Sequence, residues 1–359
     1  MTPTTVNRTT LRVVIAPDEF GGTLSAVDAA EAIAQGWSVS RPGDRVRLLP
    51  QSDGGPGFIA VLQAAGVVSV RFLRVPGPLG RPVDAAVGHG PDGTVYLEAA
   101  QACGLHLLGR APDPSSACAA STAGVGTMLA AAVSSGATRI VVGLGGSATT
   151  DGGKGAVDAL GGIDVARAQL SGIDLVVASD VDNPLLGAAG AAAVFGPQKG
   201  ADPTTVTFLE TRLTDWAATL GDAVADLPGA GAAGGLGAAL LALGGHRRSG
   251  ADVVAEATGR RRQIAAADVI VTGEGRYDEQ TARGKVIAAL AAEASGTPLI
   301  VLAGQVRGTP DIAGVTAVRS VAAHAGSVER ALQRPRETLM GLAADVASTV
   351  DTIEGVMRE

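Results

Sequence analysis

Cysteine is scarce in this chain. Cys103 and Cys118 are the only two in 359 residues, too few for a disulfide framework or a four-cysteine metal site, and no secretory leader pattern precedes them, so a cytoplasmic location is expected. Positive charge is also in deficit. Lys and Arg number 28 against 35 Asp and Glu, for a formal net charge of −7, which gives no bulk attraction for nucleic acid. The one basic run, Arg260–Arg262 with Arg247 and Arg248 upstream, lacks interleaved aromatics and reads as a solvated face. Long apolar runs are missing as well. The uncharged, alanine- and glycine-rich stretch Gly229–Gly245 is shorter than the roughly 18–20 residues that a bilayer span requires and is interrupted by glycines. It reads as a buried loop and helix, and no membrane partner is expected. Three catalytic signatures are absent too: a Gly-Lys-Ser/Thr loop end, a His-x-Glu-x-His pair and a Gly-x-Ser-x-Gly elbow. Walker-type kinases, zinc hydrolases and triad hydrolases lose their support. His89, His106, His246 and His324 have no paired partner in sequence.

Alternation of short apolar runs and helical spacing is what the chain has in abundance. "LRVVIAP" (Leu11–Pro17) is β-branched and stops at proline, and a helix with Ser25 as its N-cap follows. "RVRLLP" and a helix over residues 56–65 repeat the pattern. Near the other end "AADVIVTGEG", "TPLIVLAG" and "VTAVRSVAA" each end in small residues, with the helical "GKVIAALAAEA" after the first. This is the βαβ grammar of a parallel sheet covered on both faces. The middle differs, because the turns around "VPGPLG" and "PDG" separate alternating segments and suggest an antiparallel meander. The pattern then returns to helix, strand and helix. The expected architecture is α/β, with a parallel-sheet domain built from both termini (residues 1–65 and 263–359) and a second α/β domain inserted over 66–262. The active site is expected in the cleft between them.

In "VVGLGGSATTDGGKGAVDAL" (Val141–Leu160) a strand runs into a glycine-rich turn and then a helix. Amides converge in such a turn, and Gly145, Gly146, Ser147, Ala148 and Thr149 could hold a phosphate there. The same pattern also reads as a plain structural turn. Carboxylates follow other strands: Asp18, Asp53, Asp180 with Asp182, and Glu274 with Asp278. With Asp151 they mark five sites at the ends of strands, where open α/β sheets bind ligands. Any single one reads equally as a helix cap. Together they would need a cation, and Mg²⁺ suits oxygen ligands. Lys199, in the turn "FGPQKG", reads either as solvated or as a cation beside a transferring phosphoryl group. The GxGxxG spacing in "GAGAAGG" follows no strand and reads as close packing of two backbones.

In this order, "VVIAPDEFGGTLSA", "LLPQSDGGPG", "GLGGSATTDGGKGAVDALG", "ASDVDNPLLGAAGAAAVFGPQKGA" and "VTGEGRYDEQTARGK" resemble the bacterial glycerate kinase family, which has a flavodoxin-like domain interrupted by a second α/β domain. The resemblance runs from about Leu11 to about Ala344. It implies ATP-dependent phosphorylation of D-glycerate, usually at the 2-hydroxyl in this branch, with Mg²⁺ and a small hydroxy acid as partner. It further implies that Gly145, Gly146, Ser147 and Thr149, with Asn183, Glu274 and Asp278, bind the nucleotide. Asp53 and Asp180 would hold the metal, Lys199 would stabilise the transferring group, and Asp18 or Asp151 would orient the acceptor hydroxyl or take its proton.

The chain also departs from the family pattern. The first block commonly reads "PDSFKGS", whereas Glu19 and Gly21 stand at the serine and the lysine. Pro56 replaces a glutamate, and Thr150 and Lys154 alter the glycine-turn block. The segment after Gly162 is shorter than in relatives. These departures leave two alternatives open: a kinase of a different small hydroxy acid, or a catalytically impaired relative that binds nucleotide or metabolite. The oligomeric state is not legible.

Overall fold

The computed structural model describes residues 10–221, 223–278, 285–308 and 311–352. Its strands in chain order are β1 (Arg12–Ile15), β2 (Arg45–Leu48), β3 (Ser69–Pro76), β4 (Pro82–His89), β5 (Thr94–Glu98), β6 (Arg139–Gly143), β7 (Asp174–Ala178), β8 (His246–Arg248), β9 (Val269–Tyr277), β10 (Leu299–Val306) and β11 (Val315–Ser320). The chain divides into one unit of residues 1–52 with 255–359 and another of residues 53–254. These limits move residues 53–65 and 255–262 to the other side of the expected boundaries. The helix Phe58–Ala64 packs on β3, β4 and β5, and the helix Arg260–Ala265 on the helix Lys285–Ala294, so the company each keeps sets the division.

In the first unit the sheet order is β11-β10-β9-β1-β2, with every pairing parallel. Counted within the unit this is the 2-1-3-4-5 order of flavodoxin-like folds, which reverses between β1 and β9. Strand residues alternate between two cores. Val13, Ile15, Val271 and Leu302 belong to one, while Val14, Ile270, Leu299 and Val301 belong to the other. Both faces are therefore covered, as near-continuous apolar strands require. The helix Ala26–Ser40 starts where expected, with Ser25 Oγ accepting from the Asp28 amide. Gly36 lets it cross the helix Pro335–Thr349 closely, because a Cβ there would run into the Met340 carbonyl. The basic run is not wholly solvated. Arg260 is buried, with Nη2 2.8 Å from Glu293 Oε1 and Nη1 donating to Gln51 Oε1 at 2.8 Å, while Arg261 stays exposed. Helical periodicity turns one arginine inward, and burial demands a paired carboxylate.

The second unit has the order β3-β4-β5-β6-β7-β8. The β3-β4-β5 part is the antiparallel meander expected from the turns, and β5 to β8 run parallel. The segment after Gly162 forms the helix Ile163–Leu170. Residues 114–134 have the length and apolarity of a bilayer span. They form two helices, Pro114–Ala119 and Ala123–Ser134, with Val125, Met128 and Leu129 in the core.

Candidate active site

In the second unit, three glycine-bearing segments lie on one another at the carboxyl ends of β6 and β7. A Cβ on Gly143 would touch the Gly54 carbonyl, one on Gly54 would sit 2.9 Å from the Ala178 carbonyl oxygen, and one on Gly145 would run into Gly55 Cα. Gly146 (φ +64°) faces Pro56 in the same way. The missing side chains of the turn are thus replaced by neighbouring backbone. The loop bearing Asp53, the turn 143–147 and the strand end leading to Asp180 are brought together at that level. Gly146 remains exposed and Gly145 half-buried. Among the described residues their amides and that of Ser147 donate to no protein acceptor, which leaves N–H groups for an anion.

Lys199 comes up beneath this turn. It ends a short 3-10 turn, Pro197–Lys199, and Gly200 at φ +93° packs against the Asp113 backbone. The side chain is buried, and Nζ donates to Ser147 Oγ at 3.0 Å and to the Thr149 carbonyl at 2.6 Å. Among the described residues it forms no ion pair. Burial pulls its pKa down to about 8, against the opposing pull of Cys103 and Asp151. The nearby Cys103 thiol is pushed up to about 12 by burial and by Asp151, so it stays protonated and inert.

Asp151 is held for a different reason. Its Oδ2 accepts from the Thr122 amide (2.8 Å), the Thr122 hydroxyl (2.9 Å) and the Gly155 amide (3.1 Å), and its Oδ1 from the Gly153 amide (3.1 Å). The Thr122 hydroxyl in turn accepts from the Ala156 amide at 3.0 Å. Four donors on one carboxylate fasten the turn to the helix Lys154–Ala159. A proton-accepting role is therefore poorly served, since both oxygens are committed. Thr149 is likewise removed from ligand contact. It is fully buried, with its hydroxyl 3.4 Å from the Ala233 carbonyl. Gly234, at φ +69°, brings its own backbone onto Thr149, which is the backbone packing expected of the "GAGAAGG" segment. Asn183 ties a loop, donating to the Ala189 carbonyl at 2.8 Å. Lys154 is a surface residue that pairs with Asp158 and lies 5.5 Å from the centre of the Trp216 ring.

One residue of this unit escaped the sequence reading. Glu98, buried at the end of β5, accepts from the Gly57 and Ile59 amides at 3.2 Å each and from Gln101 Nε2 at 3.3 Å. Burial raises its pKa against the pull of those donors. It secures the "DGGPG" loop and the start of the helix Phe58–Ala64. The available signal was a lone carboxylate closing the apolar run "TVYLE".

The first unit holds a cavity of about 570 Å³ at the carboxyl ends of β1, β9 and β10, lined by Asp18, Glu274 and Asp278 together with Glu19, Gly21 and Arg276. Three site residues expected from sequence therefore line one cavity. Asp18 Oδ1 accepts from the Glu19 amide at 2.8 Å. No group of three or more His, Cys, Asp or Glu side chains able to hold a metal occurs among the described residues. The five carboxylate sites accordingly make no metal cage. A magnesium ion, which takes one or two carboxylates and fills its shell with water and phosphate oxygens, needs none. Asp53 and Asp180, hard oxygen donors on loops that pack together through Gly54 and Ala178, fit that requirement.

A model of the glycerate kinase family matches residues 13–169 and 163–351. The chain is 53% identical to an uncharacterized protein of Mycobacterium bovis, covering 94% of this chain and 91% of that one. It is 38% identical to the glycerate kinase of Bacillus subtilis, covering 95% and 98%, and 36% identical to the glycerate 2-kinase of Escherichia coli, covering 95% and 98%. A crystal structure assigned to glycerate kinase 2 of Salmonella typhimurium LT2 superposes with a TM-score of 0.78 at 35% identity, covering 96% of this chain and 99% of that one.

Proposed function

The chain belongs to the glycerate kinase family, whose shared chemistry is phosphorylation of glycerate, and from that premise we propose that the donor is ATP, the product is 2-phosphoglycerate and Mg²⁺ assists. Lys199 carries this reading. An ammonium buried without a carboxylate partner is costly to hold, and this one bonds to the turn whose Gly145, Gly146 and Ser147 amides have no protein acceptor among the described residues. Phosphoryl transfer asks the protein mainly for alignment and for charge placed where the transferring group becomes more negative.

In this reading the Gly145, Gly146 and Ser147 amides bind phosphate oxygens. Lys199, whose Nζ donates to Ser147 Oγ at 3.0 Å, raises the local potential and keeps the turn rigid. Asp53 and Asp180 hold the cation, which when bound neutralises phosphate charge. Asp18, whose Oδ1 is oriented by the Glu19 amide, aligns the acceptor hydroxyl and takes its proton, because Asp151 is occupied in fastening the turn. Glu274 and Asp278 contribute to nucleotide binding. The expected partner is a small hydroxy acid, with no nucleic acid or membrane, in the cytoplasm.

The test is ADP release from ATP and Mg²⁺ with D-glycerate and a panel of other short hydroxy acids, the product being passed to enolase. Turnover with D-glycerate and immediate dehydration by enolase are expected. A preference for another acid, or a product that enolase ignores, overturns the acceptor or the position. Binding without turnover overturns the kinase reading.

A further inference from the structure

The second unit holds a smaller cavity of about 320 Å³ between the segment Thr150–Lys154 and the helix Pro203–Leu220. Thr150 and Lys154, which both line it, are the positions at which the glycine-turn block departs from the glycerate kinase pattern. The chemistry that the family shares therefore does not account for it. Thr150 is buried, and its Oγ1 has no hydrogen-bond partner. A buried hydroxyl left in that state is costly.

Elimination shows which charges the cavity offers. Asp151 has both oxygens committed to four donors. Lys154 pairs with Asp158 and lies over the Trp216 ring. Arg212 remains: it is half-buried, its Nη1 donates to the Cys118 carbonyl at 2.7 Å, and among the described residues it forms no ion pair. A carbonyl satisfies one N–H and leaves the positive charge uncompensated. Asp215, three residues on along the same helix, is exposed and has no hydrogen bond or ion pair among the described residues. Residues at that spacing are neighbours on a helix surface. A guanidinium and a carboxylate thus both line the cavity without closing on each other.

That pair selects the ligand. A simple anion is repelled by Asp215 and a simple cation by Arg212, whereas a small molecule with one charge of each sign matches both. The other lining residues, Leu213 and Trp216, are apolar. Trp216 is held in place, since its Nε1 donates to the Gly152 carbonyl at 2.9 Å and a Cβ on Gly152 would sit 2.5 Å from Trp216 Cδ1. The volume stands at the lower end of the roughly 300–1,000 Å³ of ligand pockets and admits a molecule of amino-acid size.

From the two uncompensated charges, the unpartnered hydroxyl and the apolar wall we infer that this cavity binds a free α-amino acid with an apolar side chain. Its carboxylate bonds to the Arg212 guanidinium and its ammonium to Asp215. Its side chain lies on Leu213 and Trp216, and Thr150 Oγ1 gains the partner it lacks. The site is separate from the donor and acceptor sites of the proposed reaction and does not depend on that reading.

The experiment is calorimetry on the whole chain with L-leucine. Two analogues serve as controls: 4-methylpentanoate, which lacks the ammonium, and 3-methylbutylamine, which lacks the carboxylate. L-leucine is expected to bind with a Kd of about 1 mM or tighter, and each analogue at least tenfold more weakly. Arg212→Gln and Asp215→Asn should each weaken L-leucine binding at least tenfold, and the near-isosteric Thr150→Val about threefold. Asp215→Asn decides, because an exposed side chain without partners is replaced without cost to folding. L-leucine that does not bind, or binds Asp215→Asn as well as the native chain, overturns the site. Equal binding of either analogue reduces it to a site for a single charge and overturns the amino-acid assignment. Displacement of L-leucine by excess D-glycerate makes the cavity part of the acceptor site and overturns it too. The kinase reading is judged by turnover, so neither result decides the other.

Discussion

The two units use the same vocabulary, a strand followed by glycines and a carboxylate, for opposite ends. In the flavodoxin-like unit, Gly21 and Gly22 follow β1 with φ of +49° and +77°, and a Cβ on either would meet nothing within 4 Å. A cavity opens beside them. In the inserted unit, Gly143 ends β6 and Gly145 and Gly146 follow it, and the places of their side chains are taken by Gly54, Gly55 and Pro56. Glycine in the first case permits a turn beside empty space, and in the second it lets two backbones touch. The carboxylates diverge likewise. Asp18 lines a cavity, whereas Asp151 is saturated by four donors.

The sharpest way to break this contrast is at Lys199. Lys199→Met should lower kcat by about 10²–10³-fold, the loss typical of removing one transition-state charge stabiliser, while urea unfolding shows stability unchanged or improved. The folded pKa near 8 lies below the lysine's ordinary value, so between the two the unfolded chain binds the extra proton and stability rises with pH. Below about pH 8 the native protein bears the full cost of the buried charge, on the order of 3 kcal/mol, and methionine removes it. Activity of the native enzyme should fall as pH climbs past about 8, and Lys199→Arg should move that limb upward. A methionine variant that keeps its rate would make Lys199 a strut only.

Glycine substitutions come next. Gly234→Ala drives a methyl into the Thr149 carbonyl at positive φ and should cost about 3 kcal/mol or more. Gly22→Ala, at positive φ in open space, should cost about 1 kcal/mol. Equal urea midpoints for the two would remove the distinction between packing glycines and turn glycines. Asp151→Asn replaces an acceptor of four hydrogen bonds and should cost about 2 kcal/mol, with kcat reduced in proportion to the loosened turn. Full stability together with complete loss of turnover would return Asp151 to proton transfer. The smallest effect belongs to Glu98→Gln. Because burial raises the Glu98 pKa, the native state holds its proton to higher pH, and stability declines as pH rises through that window. The amide should change stability at pH 7 by less than about 1 kcal/mol and flatten the dependence above pH 4.5.

Much of this was legible in the chain because it is local. Ser25 caps its helix as its type and position foretold, and the meander of β3, β4 and β5 follows from turn residues between alternating runs. The carboxylates Asp18, Glu274 and Asp278 stood out by their place after apolar strands, and they line one cavity. Thr122 was not found as the partner of Asp151, because 29 residues separate them and nothing near Thr122 announces a buried acceptor. Nor did the spacing in "GAGAAGG" say whose backbone it would meet. Arg260 was read with its solvated neighbours, and only its pairing with Glu293 shows which way it turns.

The sequence by itself determined the alternation of strands and helices, the two-part order of the chain and the residue types able to handle phosphate and hydroxyl groups. Those properties depend on backbone sterics and on side-chain chemistry that neighbours in sequence cannot change. Only the tertiary structure decided which glycines meet protein and which meet space, which carboxylate is saturated and which ammonium is buried. Each of these depends on atoms contributed by distant segments, and desolvation and hydrogen-bond supply are set by that company.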